Sequence, residues 1–254
     1  MEIITSRKNP LIAAFRRLAG EREARRETSL LLGQGHKLLE EALAAGKLPE
    51  TVLYAGERPA LPAEVRCVPV TEELLAYVSP MKSAPEVLFS LPIPSEPGPL
   101  RGRVLALEAM QDPGNVGTMI RTAAAFGFDG VLLLGPCADP WGPKAVRASM
   151  GGVFRLPVWE RPDTVSALEE IRKAGLPLYA AALREDTMAA GRTGYPPALV
   201  LAIGNEGRGL SEALLEAADK VLRIPMAPEA ESLNAAAAAA VLMWEVYRER
   251  LEHV

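Results

Sequence analysis

The chain alternates short apolar runs with longer stretches in which apolar residues return every three or four positions. The runs have the length and composition of buried strands, and the spaced stretches read as amphipathic helices. In the N-terminal part, Ile12 to Leu18 predicts a helix with Arg16 and Arg17 interleaved. Leu30 to Leu32 predicts a short strand, and Gly35 to Ala45 a helix stopped by Gly46. Strands are expected over Val52–Tyr54, Arg66–Val70 and Val87–Leu91, with a helix capped by Thr71 between the last two. Pro92, Pro94, Pro97 and Pro99, with Gly98, then predict a semi-rigid linker. The expected division is an N-terminal domain over residues 1–96 and a C-terminal domain over residues 97–254.

The second half repeats the alternation. Strands are predicted at Val104–Leu107, Val131–Leu134, Phe154–Val158, Pro177–Ala182, Ala198–Ile203 and Val221–Ile224. Helices are predicted at Val116–Phe126, around Lys144–Met150, at Thr164–Ala174, after Ser211 as N-cap, and from Leu233 to about Leu251. Strands alternating with helices imply an α/β class with a parallel sheet in the C-terminal domain, behind a small N-terminal α/β domain. The last helix opens with six alanines, Ala235 to Ala240, followed by Val241, Leu242, Trp244 and Tyr247, a pattern suited to close helix packing.

Composition changes the picture little. With 49% hydrophobic and 24% charged residues in 254, the chain reads as an ordinary soluble globular protein. A net charge of −4 announces no nucleic-acid partner; its distribution says more. Residues 1–30 carry seven Lys/Arg, among them Arg7, Lys8, Arg16 and Arg17, against four Glu, so that segment is +3 and the remainder −7. Local basicity of this kind suits phosphate contacts, although a charged helix face also suits plain solvation. Cys67 and Cys137 lie in apolar surroundings, and with only His36 and His253 no metal-ligand spacing exists. No apolar run approaches membrane-spanning length and no secretory leader is legible, so the expectation is a reduced, cytoplasmic protein bound to neither membrane nor metal.

The candidate chemistry lies where apolar runs end. Ile203-Gly204-Asn205-Glu206-Gly207-Arg208-Gly209 follows one strand, and Ile224-Pro225-Met226 with Ser232-Leu233-Asn234 follows another. Ligands of parallel α/β sheets sit at such strand ends. The glycines run G-x-x-G-x-G, the reverse of a dinucleotide fingerprint, and no G-x-x-x-x-G-K-[ST] occurs, so neither a nicotinamide cofactor nor a nucleoside triphosphate is indicated.

Together with Asn115-Val116-Gly117-Thr118-Met119-Ile120-Arg121 and Ala125-Phe126-Gly127, these blocks resemble the signature of the SpoU/TrmH family of RNA ribose 2′-O-methyltransferases in the SPOUT superfamily. The resemblance spans about Val104 to Leu251, with a looser likeness before it that includes Thr5-Ser6-Arg7-Lys8-Asn9-Pro10. It implies an N-terminal RNA-binding domain similar to small ribosomal proteins, a catalytic domain ending in a trefoil knot, and a homodimer. The implied reaction moves a methyl group from S-adenosylmethionine to a ribose 2′-hydroxyl of structured RNA, with ribosomal RNA preferred and transfer RNA as the alternative substrate. A non-catalytic RNA-binding assembly factor on the same fold is the alternative.

Carried over residue by residue, Gly204, Ile224 and Leu233, with neighbours Ile203 and Met226, are expected to hold the donor. Arg121, Asn115, Glu206, Ser232 and Asn234 are expected at the reacting centre. Glu206 suits either bracing of its turn or orientation of Asn115 or Arg121, and Ser232 equally suits an N-cap of the final helix. Gln34 departs from the family, many of whose members have glutamate in the matching turn.

Overall fold

A computed structural model describes residues 2–81, 85–95, 97–184, 187–227, 229 and 231–251. They form two compact units, one of residues 1–95 with 139–155 and the other of residues 96–138 with 156–254.

The first unit opens with α1 (Pro10–Gly20), capped by the Asn9 side chain accepting from the Leu11 N–H, with proline in the first turn. Then come α2 (Arg22–Thr28), β1 (Leu30–Gln34), α3 (His36–Ala44), β2 (Thr51–Tyr54), β3 (Arg66–Pro69), α4 (Glu72–Val78) and β4 (Val87–Pro92). Its four-stranded sheet has the order β1-β4-β2-β3, antiparallel except for the β2/β3 pair. Ile12, Phe15 and Leu18 of α1 meet Leu74, Leu75 and Val78 of α4 over Leu32, Leu53, Val68 and Leu88 of the sheet. Pro92, expected in the linker, ends β4 opposite Leu30, a terminal position that spares the ladder a missing donor.

Residues 139–155 hold α6 (Pro143–Ser149) and α7 (Gly152–Arg155), and α6 packs on β1. Arg25, 5% exposed, fixes the start of this segment. Its Nε and Nη2 donate to Asp139 Oδ2 at 2.8 and 2.6 Å, and its Nη1 donates to the Leu18 carbonyl. The expected strand at Phe154–Val158 is replaced by α7 and, from Val158, a strand of the second unit. Short apolar runs do not separate buried helix from buried strand.

The second unit has β5 (Arg103–Glu108), α5 (Pro113–Ala125), β6 (Gly130–Leu134), β7 (Val158–Arg161), α8 (Thr164–Lys173), β8 (Leu178–Ala181), β9 (Met188–Ala189), β10 (Leu199–Ile203), α9 (Glu212–Ala217), β11 (Lys220–Arg223) and α10 (Ala235–Leu251). Its seven strands are all parallel, in the order β7-β6-β5-β10-β8-β11-β9. Alternate residues of the central strands, such as Val104, Ala106, Val200 and Ala202, join Ala167 and Ile171 of α8 and Leu214 of α9 in one core. Helices α5 and α10 pack together on the rest of the sheet. On α5 the buried set Val116, Met119, Ile120 and Ala123 has the spacing of one helix face. Ala235, Ala236 and Ala239 of the alanine tract are buried while Ala237 is exposed, so part of the tract packs.

Strand order locates the crevice. The chain leaves β5 for β6 on one side, and β10 closes against β5 on the other. At such a reversal the loops after the two strands diverge, leaving room for a ligand beyond their C-terminal ends.

Candidate active site

Two loops meet at that crevice. After β5, Asp112 caps α5 by accepting from the N–H groups of Gly114 and Asn115, and Pro113 occupies the first turn. After β10, Asn205 and Gly209 exchange backbone hydrogen bonds of 3.1 and 2.9 Å, closing a tight turn. Asn205 Oδ1 accepts from the N–H groups of Gly207 and Arg208 at 2.9 and 3.1 Å, so the turn braces itself through Asn205.

Glu206 is therefore free for other work. Its Oε1 accepts from Asn115 Nδ2 at 2.8 Å, joining sequence blocks 91 positions apart. Glu206→Gln is expected to lower turnover while leaving thermal stability unchanged, because one amide would then face another and Asn115 would lose a charged acceptor. Unaltered kcat in that isosteric variant would dismiss an electrostatic duty for Glu206.

Gly204 is required by the chain itself. A Cβ there would lie 2.2 Å from the Gly209 carbonyl carbon and 2.4 Å from the Leu210 nitrogen. The close approach at Gly204 is that of the turn's own backbone.

Two further contacts sew the loops together, and neither was foreseen. Asn205 Nδ2 donates to the Ala109 carbonyl at 2.9 Å, and Ala109 takes a left-handed φ of 51°, a strained conformation for a residue with a Cβ. Glu108, 6% exposed at the end of β5, accepts from the Ser211 N–H and hydroxyl, both at 2.7 Å, and from the Thr164 hydroxyl at 3.3 Å. The Asp112-Pro113 pair was a legible start signal for a helix. A glutamate ending an apolar run gave no sign that it would be buried.

Against this frame opens a cavity of about 460 Å³. Ile203, Gly204, Glu206, Ile224, Met226, Ser232 and Leu233, all expected at the site, line it. Its size lies within the range of small-molecule sites. Asn234 does not line it. Its Oδ1 accepts from the Ala236 and Ala237 N–H groups, so Asn234 caps α10 and Ser232 does not. Ser232 is exposed, with no hydrogen bond to another described residue.

Arg121 stands apart from this cavity. It lies six residues past Asn115, about 9 Å along the helix and about 240° round it. Its side chain is exposed and meets no partner among the described residues.

Residues 102–244 match the SpoU rRNA Methylase family. The chain belongs to that family. It is 33% identical, over 97% of its own length and 99% of the relative's, to the 23S rRNA (guanosine(2553)-2'-O)-methyltransferase RlmP of Bacillus subtilis. It is likewise 33% identical to the 23S rRNA (uridine(2479)-2'-O)-methyltransferase of Streptomyces viridochromogenes, over 98% and 92% of the two chains. Among solved structures, the AdoMet-bound rRNA methyltransferase from Sinorhizobium meliloti superposes with a TM-score of 0.86 at 30% identity, covering 97% of each chain. The SpoU methyltransferase AviRb from Streptomyces viridochromogenes, in complex with AdoMet, gives a TM-score of 0.84 at 29% identity, covering 96% of this chain and 100% of the other.

Within this SpoU protein the basic N-terminal residues take different roles. Arg7 and Arg16 lie over the Tyr77 ring, 4.7 and 5.2 Å from its centroid, and Arg16 also donates to the carbonyls of Tyr77 and Val78. Arg17 is tied to Glu21 and Glu27 at 2.9 and 3.2 Å, while Lys8 is exposed. The turn residue Gln34 is buried, and its Oε1 accepts from the Ser79 hydroxyl. Cys67 and Cys137 are buried thiols outside any disulfide, and burial pushes that of Cys137 up. Among the described residues no three His, Cys, Asp or Glu side chains gather as metal ligands, and no helix is long and apolar enough to cross a membrane. His253 lies outside the described residues.

Proposed function

We propose that this chain uses S-adenosylmethionine to methylate a ribose 2′-hydroxyl of structured RNA, with ribosomal RNA as substrate. The observation that carries this reading is the hydrogen bond between Asn115 and Glu206 at the lip of the cavity, within a SpoU chain.

The residues present fit the donor. Ile203, Leu222, Ile224 and Leu233 offer an apolar wall for an adenosine, and the exposed Ser232 lines the same cavity. When bound, S-adenosylmethionine supplies a methyl group on a sulfonium, a leaving group that needs no metal. The protein's part is to orient the acceptor and manage its proton. Asn115, fixed by Glu206, can hydrogen-bond a ribose. Arg121 serves by gripping a phosphate and stabilising the developing oxyanion. A guanidinium stays protonated at neutral pH, so it does not act as a literal base.

Arg121 reaches the reaction from a second copy of the chain. Val241 and Trp244 on α10 are 40% and 43% exposed, and Thr118, Arg121 and Ala125 are exposed on α5, the helix packed against α10. A homodimer seated on this face covers the apolar stripe and carries one protomer's arginine to its partner's cavity. The family resemblance adds a trefoil knot at the chain end, a reduced cytoplasmic setting, and a role for residues 1–96 in holding RNA through Arg7, Lys8 and Arg16. Residues 97–254, without the excursion over 139–155, then make up the catalytic part.

The test is direct. The purified full-length chain, given labelled S-adenosylmethionine and ribosomal RNA, is expected to place 2′-O-methyl groups at a defined nucleotide, mapped by resistance of that linkage to alkali. Donor binding by calorimetry with no transfer to ribosomal or transfer RNA would overturn the substrate assignment. Absence of donor binding would favour an assembly factor.

A further inference from the structure

The cavity carries more positive charge on its rim than donor binding explains. Three arginines line it: Arg184, Arg208 and Arg223. Arg184 is paired with Glu212 at 3.3 Å. The other acid of the lining, Glu206, is engaged by the side-chain amides of Asn115 and Asn205. Arg208 and Arg223 are exposed, and neither guanidinium meets an acceptor among the described residues. Among the described residues, two cations thus stand unpaired at one edge of a protein with a net charge of −4.

Both stand on stiff supports. The Arg208 N–H donates to Asn205 Oδ1 at 3.1 Å, inside the turn closed by Asn205 and Gly209. Arg223 ends β11, in register with Ala189 of β9. Cations held on a braced turn and a strand end present a fixed spacing to a ligand.

Two anions come within reach of this rim in the proposed reaction. The donor brings a single carboxylate, already offset by its own ammonium group and accompanied by a sulfonium cation. The acceptor strand brings a phosphodiester at every nucleotide, which the planar fork of guanidinium matches with paired hydrogen bonds. We infer that Arg208 and Arg223 anchor phosphodiesters of the acceptor strand beside the target ribose, acting as positioning residues for RNA. The inference rests on the methyltransferase reading and specifies where the substrate backbone runs. A rim of this charge also draws RNA to a chain whose overall charge repels it.

The experiment compares the full-length chain with Arg208→Gln, Arg223→Gln and the double variant. It reads KM for a ribosomal RNA fragment across a salt series, alongside S-adenosylmethionine affinity by calorimetry. The double variant is expected to raise the RNA KM by on the order of tenfold and to flatten the slope of log KM against log salt by about 1.5, the share of two phosphate contacts. Donor affinity is expected to stay within about twofold of wild type. An equal loss of donor affinity would assign the pair to the donor carboxylate and overturn the inference. An unchanged KM and slope would overturn it as well. Wild type run alongside keeps the two readings apart: if it transfers no methyl group to RNA the proposed function fails, whereas an active wild type matched by the double variant sinks the arginine pair alone.

Discussion

Arg121→Ala is expected to slow methyl transfer by on the order of a thousandfold, the scale of losing a charge that acts on a developing oxyanion. Affinity for S-adenosylmethionine is expected to stay within about twofold, because Arg121 contributes nothing to the cavity wall. Its side chain on α5 is exposed and pairs with no described acid, so truncation costs little stability. Single-turnover measurements at saturating donor and RNA read the chemical step, and calorimetry reads donor binding. Arg121→Lys retains the charge but loses the paired donors, and is expected to fall between the two. Near-normal turnover of the alanine variant would rule out both the phosphate grip and oxyanion stabilisation. A mixed dimer tests the route: if the arginine acts across the interface, coupling an Arg121→Ala protomer to a protomer with a damaged cavity restores one working site.

The second large effect is expected from Gly204→Ala. The new methyl group would sit within about 2.5 Å of three backbone atoms of Gly209 and Leu210, and backbone cannot yield as a side-chain tip can. The turn must open, at a cost of about 3 kcal/mol. Opening it also moves Asn205 and Glu206, and with them the wall of the cavity and the anchor of Asn115. Donor affinity is expected to drop by tenfold or more, about 1.4 kcal/mol for each decade. Gly207→Ala is the control. A Cβ there meets nothing closer than Asn205 Oδ1 at 3.6 Å, so melting temperature and donor affinity should both survive. A Gly204→Ala protein with wild-type melting and donor affinity would mean that the turn is not packed as described.

Much of this site was legible because it is built from strand ends. The apolar runs at Val104–Leu107, Ala198–Ile203 and Val221–Ile224 became β5, β10 and β11, and Gly204, Glu206, Met226 and Ser232, which follow the last two, line one cavity, while Asn115, Arg121 and Asn234 do not. Pattern carries that information because a fully buried parallel strand is apolar on both faces and ends where polarity resumes. What escaped was set by distant partners. Glu108 ends an apolar run like any surface acid, yet Ser211 and Thr164 satisfy it in the interior. Ser232 and Asn234 have nearly equal capping preference, and only the backbone path gives the helix to Asn234. Strand β9 has two residues and exists only through its pairing with β11. The helical segment Arg22–Thr28 went unforeseen because it is mostly charged, with only Ala24 and Arg25 buried.

Residues 139–155 bear on how this protein can be cut. Trp141, Val146, Val153 and Phe154 are buried in a segment that folds with the N-terminal strands although it sits between β6 and β7 in the chain. A fragment starting at residue 97 would carry those side chains without the strand β1 on which α6 rests and without Arg25 to hold Asp139. Such a fragment should be sticky and poorly soluble unless the excursion is also replaced by a short polar connection. The same arrangement means that unfolding of the first unit also releases the segment that joins β6 to β7 of the second.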